Sequence, residues 1–270
     1  MCRLFGLYAN RAVNVNFSFY EAEKSLEKLS IRNPHGWGIA WFDNGWNLHK
    51  EPGPLYLSKD AQRLAKNVSG IIVISHVRYA TKGKAKLENT HPWLYKGYVF
   101  AHNGTIDERN KILELLSPEY RDLEGDTDSE ALFHLIVQEA DETNDFVEGV
   151  ERAIAKINAN NISYDSLNFI ASDGKKLYAL RYTKEGLNRY TLFYLKRPRE
   201  GLRLEGFSEK TAQLIRMKLA SGEKAIIVAS EKLTKEPWEE IPNKHMLIIN
   251  ARLNTELINI SYFLTGLFHL

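Results

Sequence analysis

Gly70-Ile71-Ile72-Val73-Ile74-Ser75 is an unbroken apolar run of strand length, the mark of a central strand covered on both faces. Its far end delivers a polar cluster, His76-Val77-Arg78-Tyr79-Ala80-Thr81. Tyr98 to Ala101 repeats the arrangement and ends in His102-Asn103-Gly104-Thr105. Strands buried in this way require a layered fold. The layers leave the strand ends as the place where side chains can meet a cleft.

The remaining elements fit around these strands. Residues 2 to 9 read as a short buried strand with Cys2 at its tip. Phe19, Ala22, Leu26 and Leu29 fall at helical spacing behind a Ser18/Glu21 capping box, which predicts an amphipathic helix over 19–30. Pro34 and Gly36 keep the next segment out of a regular helix, and Asp43-Asn44-Gly45 turns a hairpin between 39–42 and 46–49. Residues 82 to 90 have the polar, lysine-bearing composition of a mobile loop, closed by His91-Pro92-Trp93. Helices are expected at 107–117, 129–140 (with Thr127 and Glu130 as a second capping box), 145–158 and 208–220. Further strands are expected at 167–172, 176–182, 190–195, 224–230, 245–250 and 255–261. Strand pairs alternating with helix pairs argue for one layered domain over 2–250, followed by a C-terminal strand and apolar tail over 251–270.

Composition excludes several function classes. The net charge is +2 with lysines scattered, so the chain lacks the electrostatic footprint of a nucleic-acid binder. Its single cysteine rules out an internal disulfide and a cysteine-built zinc site. No basic-then-apolar leader begins the sequence, and no stretch reaches the roughly 20 apolar residues of a membrane span. A cytoplasmic protein with no membrane partner is the expectation.

The lone cysteine stands directly behind Met1. Removal of Met1, usual before a small residue, leaves Cys2 with a thiol and a free α-amine. The amine titrates near ~8 and the thiol near ~8.5, so the residue can carry its own base. N-terminal threonine enzymes use the same arrangement. The plainer alternative is that Cys2 is a small apolar start to a strand. Arg78 could clamp a carboxylate through two parallel hydrogen bonds, or form a structural ion pair. Asn103-Gly104 offers a side-chain amide beside a glycine N–H, a good pair of oxyanion donors, or a tight turn. Asp128 could receive an ammonium group, or only cap a helix. Singly, each signal is weak.

Together they form an ordered set. With His76-Val77-Arg78-Tyr79-Ala80-Thr81 and Gly83, Asn89-Thr90-His91-Pro92, His102-Asn103-Gly104-Thr105-Ile106 and Thr127-Asp128-Ser129-Glu130, the chain resembles the class II glutamine amidotransferases among the N-terminal nucleophile hydrolases. The likeness is greatest to stand-alone members, among them the γ-glutamyl hydrolase of ergothioneine synthesis. Those members begin Met-Cys-Arg and carry Asn-Pro-Asp-Gly-Trp-Gly, whereas here His35 takes the aspartate's place in Asn33-Pro34-His35-Gly36-Trp37-Gly38. Tyr79 stands where many relatives have tryptophan. Similar pieces continue through Leu167 to Arg181 and Val228 to Trp238, so the resemblance runs to about residue 250.

The resemblance implies an α+β fold, a four-layer αββα sandwich. It implies Cys2 as nucleophile, Asn103 and Gly104 as oxyanion donors, Arg78 for a substrate α-carboxylate and Asp128 for its α-ammonium. Thr81 and His91 match motif positions that border the pocket, with no chemical step assigned to them. The implied substrate is glutamine or a γ-glutamyl amide, cleaved through a Cys2 thioester without metal or cofactor. After the sandwich only Ala251 to Leu270 remain, so an ammonia-accepting protein would be a separate partner. Two further readings stand beside this one. One is a non-catalytic glutamine-binding or partner-binding module on the same fold, against which the retained Cys2 speaks. The other is a metal hydrolase using His76, His91 and His102, which lack local ligand spacing. Ser261 to Phe268 forms an apolar tail suited to docking on a partner or on a second copy in a homo-oligomer.

Overall fold

The computed structural model describes residues 2–186, 189–199 and 201–260. In chain order the regular elements are β1 (Arg3–Val13), α1 (Leu26–Ser30), β2 (Trp37–Phe42), β3 (Trp46–Glu51), α2 (Lys59–Asn67) and β4 (Gly70–Val77). Next come β5 (Trp93–Tyr95), β6 (Tyr98–Asn103), α3 (Arg109–Leu115), α4 (Asp128–Thr143), α5 (Phe146–Ala159), β7 (Asn168–Ser172) and β8 (Leu177–Arg181). The chain continues with β9 (Phe193–Arg197), α6 (Glu209–Ser221), β10 (Ala225–Ala229), β11 (Glu239–Glu240), β12 (His245–Ile249) and β13 (Thr255–Asn259).

Two sheets result, with strand orders β11-β9-β10-β1-β4-β2-β3 and β13-β12-β8-β7-β6-β5. Their inner faces meet through Leu4, Tyr8, Ile72 and Ile74 on one side and Val99, Ala101, Ile170 and Leu247 on the other. The alternation of β1 follows from this contact. Leu4 and Tyr8 face the second sheet, while Phe5, Leu7 and Ala9 face the opposite core with Phe19, Leu26 and Ala61. Gly6 lies on the inter-sheet face, where a Cβ would stand 3.0 Å from Ile170 Cγ2. On the outside of the second sheet α4 is buried from Asp128 to Ala140, with Phe133 stacked on Phe100 at 4.8 Å. The layers are therefore helix, sheet, sheet and helix, as the sequence implied.

One local expectation is corrected, one helix is added, and one strand is described only in part. The single helix over 19–30 is instead a π-turn at Phe17–Glu21 and the separate α1, with Ala22 extended between them. The amide of Lys24 leaves helical pairing to reach Leu233 O at 3.0 Å, and Ser25, not Ser18, caps the second piece. Helix α2 was not anticipated, although Ala61, Leu64 and Ala65 lie at helical spacing on its core-facing side. The strand expected at 255–261 is the edge strand β13, and the tail from Ser261 onward lies outside the described residues.

Candidate active site

Ladder pairs Arg3↔Val77 and Leu4↔His76 fix the start of β1 against the end of β4, so Cys2 meets the residues that leave β4. The Tyr79 amide donates to Cys2 Sγ at 3.2 Å, and the thiol faces Tyr79 O at 3.4 Å. Arg3 holds the strand start through Glu231, with Nε 2.6 Å from Oε1. Burial pushes the Cys2 thiol up, an effect opposed by the Tyr79 N–H and by the positive charges of Arg78 and Arg3.

His35 now has a structural account. Its amide donates to Arg78 O at 3.0 Å, and the Arg78 amide donates to Gly36 O at 2.7 Å. His35 Nδ1 accepts from the Ala80 amide at 3.1 Å, and its ring lies 5.3 Å from that of Tyr79. Nδ1 therefore carries no proton in this arrangement. The residue that replaces aspartate orients the backbone that touches Cys2.

Arg78 is 3% exposed and spends its guanidinium on the following loop. Nη1 donates to Lys84 O at 3.0 Å, and Nη2 donates to Lys82 O at 2.8 Å and Gly83 O at 3.4 Å. Burial lowers its pKa, while the negative charges of Asp126 and Asp128 offset that effect. Asn89 ties the same loop to the segment before α4. Its Nδ2 donates to Lys84 O and Asp126 Oδ1, and its Oδ1 accepts from the Asp126 amide. Thr81 Oγ1 lies 3.2 Å from Thr105 Oγ1, and Lys82 Nζ donates to Ile106 O at 2.8 Å and Asp107 O at 3.0 Å. A loop of polar composition is thus strapped down at four points.

Across the cleft, Gly104 follows β6. A Cβ there would stand 1.8 Å from Ser166 O, so the close approach of β6 and β7 requires glycine. Asn103 is buried at the end of β6 opposite Asn168, and its side chain has no hydrogen-bond partner among the described residues. Asp128 opens α4, where Thr127 Oγ1 accepts the Glu130 amide as an N-cap. Asp128 Oδ2 accepts from the Ile106 amide at 2.6 Å. Glu130 does not complete the expected capping box, because its carboxylate accepts from the amides of Glu124 and Gly125 instead.

Three buried histidines adjoin the cleft, with His91 and His102 on its wall and His76 behind them. His91 stacks on His76 at 4.1 Å, and its Nδ1 accepts from the His102 amide at 3.1 Å. His102 Nε2 reaches Ser166 O at 3.1 Å, which places its proton there and makes Nδ1 the acceptor for Ser129 Oγ. Burial, above all, lowers the pKa of all three and keeps them neutral. They are not a ligand set. Among the described residues, His49, Glu51 and Asp60 form the one group of His, Cys, Asp or Glu ligand atoms lying within 4.8 Å of each other.

Cys2, Arg78, Thr81, His91, Gly104 and Asp128 line one cleft with a free volume of ≈ 20 Å³. Asn103 adjoins it through Gly104 and is not on its wall. The sequence reading missed the roles of His35, Asn89 and Lys82. Asn89 carried a signal, since it opens the Asn89-Thr90-His91-Pro92 motif. No helix among the described residues is long and apolar enough to cross a membrane.

Residues 1–260 match the family model described as glutamine amidotransferases class-II. An uncharacterized protein of Methanocaldococcus jannaschii is 32% identical over 99% of this chain and 73% of its own length. The amidophosphoribosyltransferase of the same organism is 32% identical over 58% of this chain, which spans only 34% of that enzyme. Among solved structures, a glutamine aminotransferase class-II domain protein from Silicibacter pomeroyi aligns over 96% of this chain and 99% of its own, with TM-score 0.67 at 21% identity. The glutamine phosphoribosylpyrophosphate amidotransferase of B. subtilis aligns over 97% of this chain and 50% of its own, with TM-score 0.66 at 19% identity. The structural matches establish the shared sandwich. The family match over nearly the whole sequence establishes that this chain belongs to the class II glutamine amidotransferases.

Proposed function

We propose that this chain is a glutaminase-type amidohydrolase that cleaves the γ-amide of glutamine, or of a γ-glutamyl compound, through a thioester on Cys2. The observation that carries the reading is that the Cys2 sulfur, held by the Tyr79 N–H, lies on the same cleft as one buried cation and one buried anion, Arg78 and Asp128. That pair suits a zwitterionic amino-acid head and little else.

On this reading Met1 is removed and the free amine of Cys2 takes the thiol proton. Sulfur attacks the γ-carbonyl carbon, and the oxyanion accepts hydrogen bonds from the Gly104 N–H and, once the cleft has opened to admit substrate, from the Asn103 amide, unpartnered among the described residues. Each donor is worth about 2.7–4 kcal/mol in the transition state. The oxyanion collapses, the C–N bond breaks, and the ammonium of Cys2 returns its proton to the departing ammonia. Water, deprotonated by the same amine, then opens the thioester and releases glutamate. The ammonia goes to solvent or to a separate acceptor protein.

The cleft as it stands has room for about one ordered water and not for a glutamine side chain. Entry therefore needs the 79–84 segment to swing aside, with loss of the Thr81–Thr105 and Lys82–Asp107 contacts. The test is glutamate release from glutamine, asparagine, butyramide and two N-substituted γ-glutamyl amides, with Cys2→Ser as control. Glutamine should far outpace asparagine, whose shorter chain displaces the carbonyl by about 1 Å at a cost of ~10²-fold. Turnover of the N-substituted amides would favour a γ-glutamyl hydrolase like that of ergothioneine synthesis. Glutamine binding without turnover would leave a non-catalytic module. Butyramide matching glutamine would remove the clamp assignment.

A further inference from the structure

A second recess lies at the other end of β1 from Cys2. Arg3 pairs with Val77 at one end and Ala9 with Ala225 at the other, six residues or about 20 Å of strand away. Beside Ala225 opens a cleft of ≈ 610 Å³. Six cations line it: Lys196, Arg197, Arg199, Lys218, Lys224 and Arg252. Among the described residues Glu223 is the one lining carboxylate. Two of the cations are committed, the buried Arg197 to Glu236 and Lys218 to Glu223. The other four are exposed and have no carboxylate partner among the described residues.

This gathering is not explained by the chain's overall charge, which is only +2. Nor is it explained by the C-terminus of α6, whose last carbonyls at Ser221 and Gly222 already accept from Arg11 and Asn10. The four free cations come from three separate segments: β9 and its exit, the entry to β10, and the β12–β13 turn. Like charges gathered around one concave recess raise a local positive potential that attracts and concentrates an anion. The floor between them is aliphatic, with Pro198, Leu219, Ile226 and Leu253, and among the described residues no aromatic side chain lines the recess. A single-stranded nucleic acid needs aromatic platforms for its bases, and a concave recess of this size suits a small molecule.

We propose that this recess binds a non-aromatic organic bisphosphate, such as a sugar bisphosphate, with Lys196, Arg199, Lys224 and Arg252 on the two phosphates and the aliphatic floor under the carbon skeleton. The site is remote from Cys2 and does not depend on the amide reaction proposed above.

The test is calorimetric titration of the full chain at low salt with fructose 1,6-bisphosphate, fructose 6-phosphate, inorganic phosphate and a single-stranded oligonucleotide. It is repeated on Lys196→Glu and Arg252→Glu, whose exposed side chains should leave the melting temperature and the glutamate-release rate unchanged. The expected result is saturable binding of the bisphosphate, tighter than either monophosphate, and weakened about tenfold or more in each variant. No saturable binding of the bisphosphate at millimolar concentration would overturn the proposal. Equal affinity in both variants, or tighter binding of the oligonucleotide than of the bisphosphate, would overturn it as well.

Discussion

Gly104→Ala tests the geometry of the side of the cleft proposed to hold the oxyanion. The added methyl would stand 1.8 Å from Ser166 O, 2.6 Å from Ser166 C and 2.8 Å from His102 Nε2. Reaching even a tight 3.0 Å contact with the oxygen requires the β6 and β7 ends to part by more than 1 Å. That separation breaks the His102 Nε2–Ser166 O hydrogen bond of 3.1 Å and leaves a buried donor unpaired. An unpaired buried donor costs about 1–3 kcal/mol, and overpacking adds about 1–3 kcal/mol, so the variant should lose about 2–6 kcal/mol. The same displacement moves the Gly104 N–H by about 1 Å, which predicts a further loss of ~10²-fold in kcat in the molecules that stay folded. Urea unfolding and glutamate release measure the two effects separately. Gly53→Ala is the control, since nothing lies within 4 Å of a Cβ at that position. A Gly104→Ala protein within 0.5 kcal/mol and twofold of wild type, about the scatter of surface substitutions, would refute the close approach.

Asn89 is fully buried and makes three hydrogen bonds, so Asn89→Ala should destabilise by about 1–3 kcal/mol in chemical denaturation, through the groups it leaves unpaired. His76 and His91 are held neutral by burial, so their stabilising contribution is present above the unfolded pKa of about 6.5. It should fall as pH drops below that value, by up to ~1.4 kcal/mol per pH unit for each histidine, and urea midpoints at several pH values would register it. Glu151 acts in the opposite direction: burial pushes its carboxyl up to about 7, so its favourable contribution is lost as pH rises through that value. Glu151→Gln should therefore gain most in thermal stability above pH 7, and the histidine slope is best read in that background.

The sandwich was legible because its central strands carry their burial in composition. β4 and β6 carry unbroken apolar runs at 71–74 and 98–101, and the layer order follows from covering both faces. The N-cap of α4 was legible for the same local reason, a threonine in front of an apolar helix. What composition does not carry is long-range satisfaction of backbone groups. The loop over 82–90 is polar, which locally reads as mobility, yet its carbonyls at 82, 83 and 84 are met by a buried guanidinium several residues upstream. The helix over 19–30 failed likewise, when a distant carbonyl at Leu233 captured one of its amides. α2 was missed for another reason: its apolar side is only Ala61, Leu64 and Ala65 among six polar residues, a short run that is easily passed over.

The charges around Cys2 place more than one demand on Arg78. Burial keeps His76, His91 and His102 neutral, so none of the three supplies a positive charge to a thiolate. Arg78 and Arg3 remain as side-chain cations acting on the sulfur, alongside the Tyr79 N–H. Arg3 is already paired with Glu231, which dilutes its effect. Arg78 is not balanced by a contacting carboxylate, because its guanidinium nitrogens hold neutral carbonyls of the loop. Asp126 and Asp128 offset part of its charge through space, and the remainder acts on the cleft. On the proposed mechanism a substrate carboxylate competes for the guanidinium that fastens the loop, so binding the amino-acid head and releasing the strap draw on the same hydrogen bonds. Loop opening, head recognition and thiolate stabilisation then depend on one buried side chain, and a change at Arg78 cannot alter one of them alone.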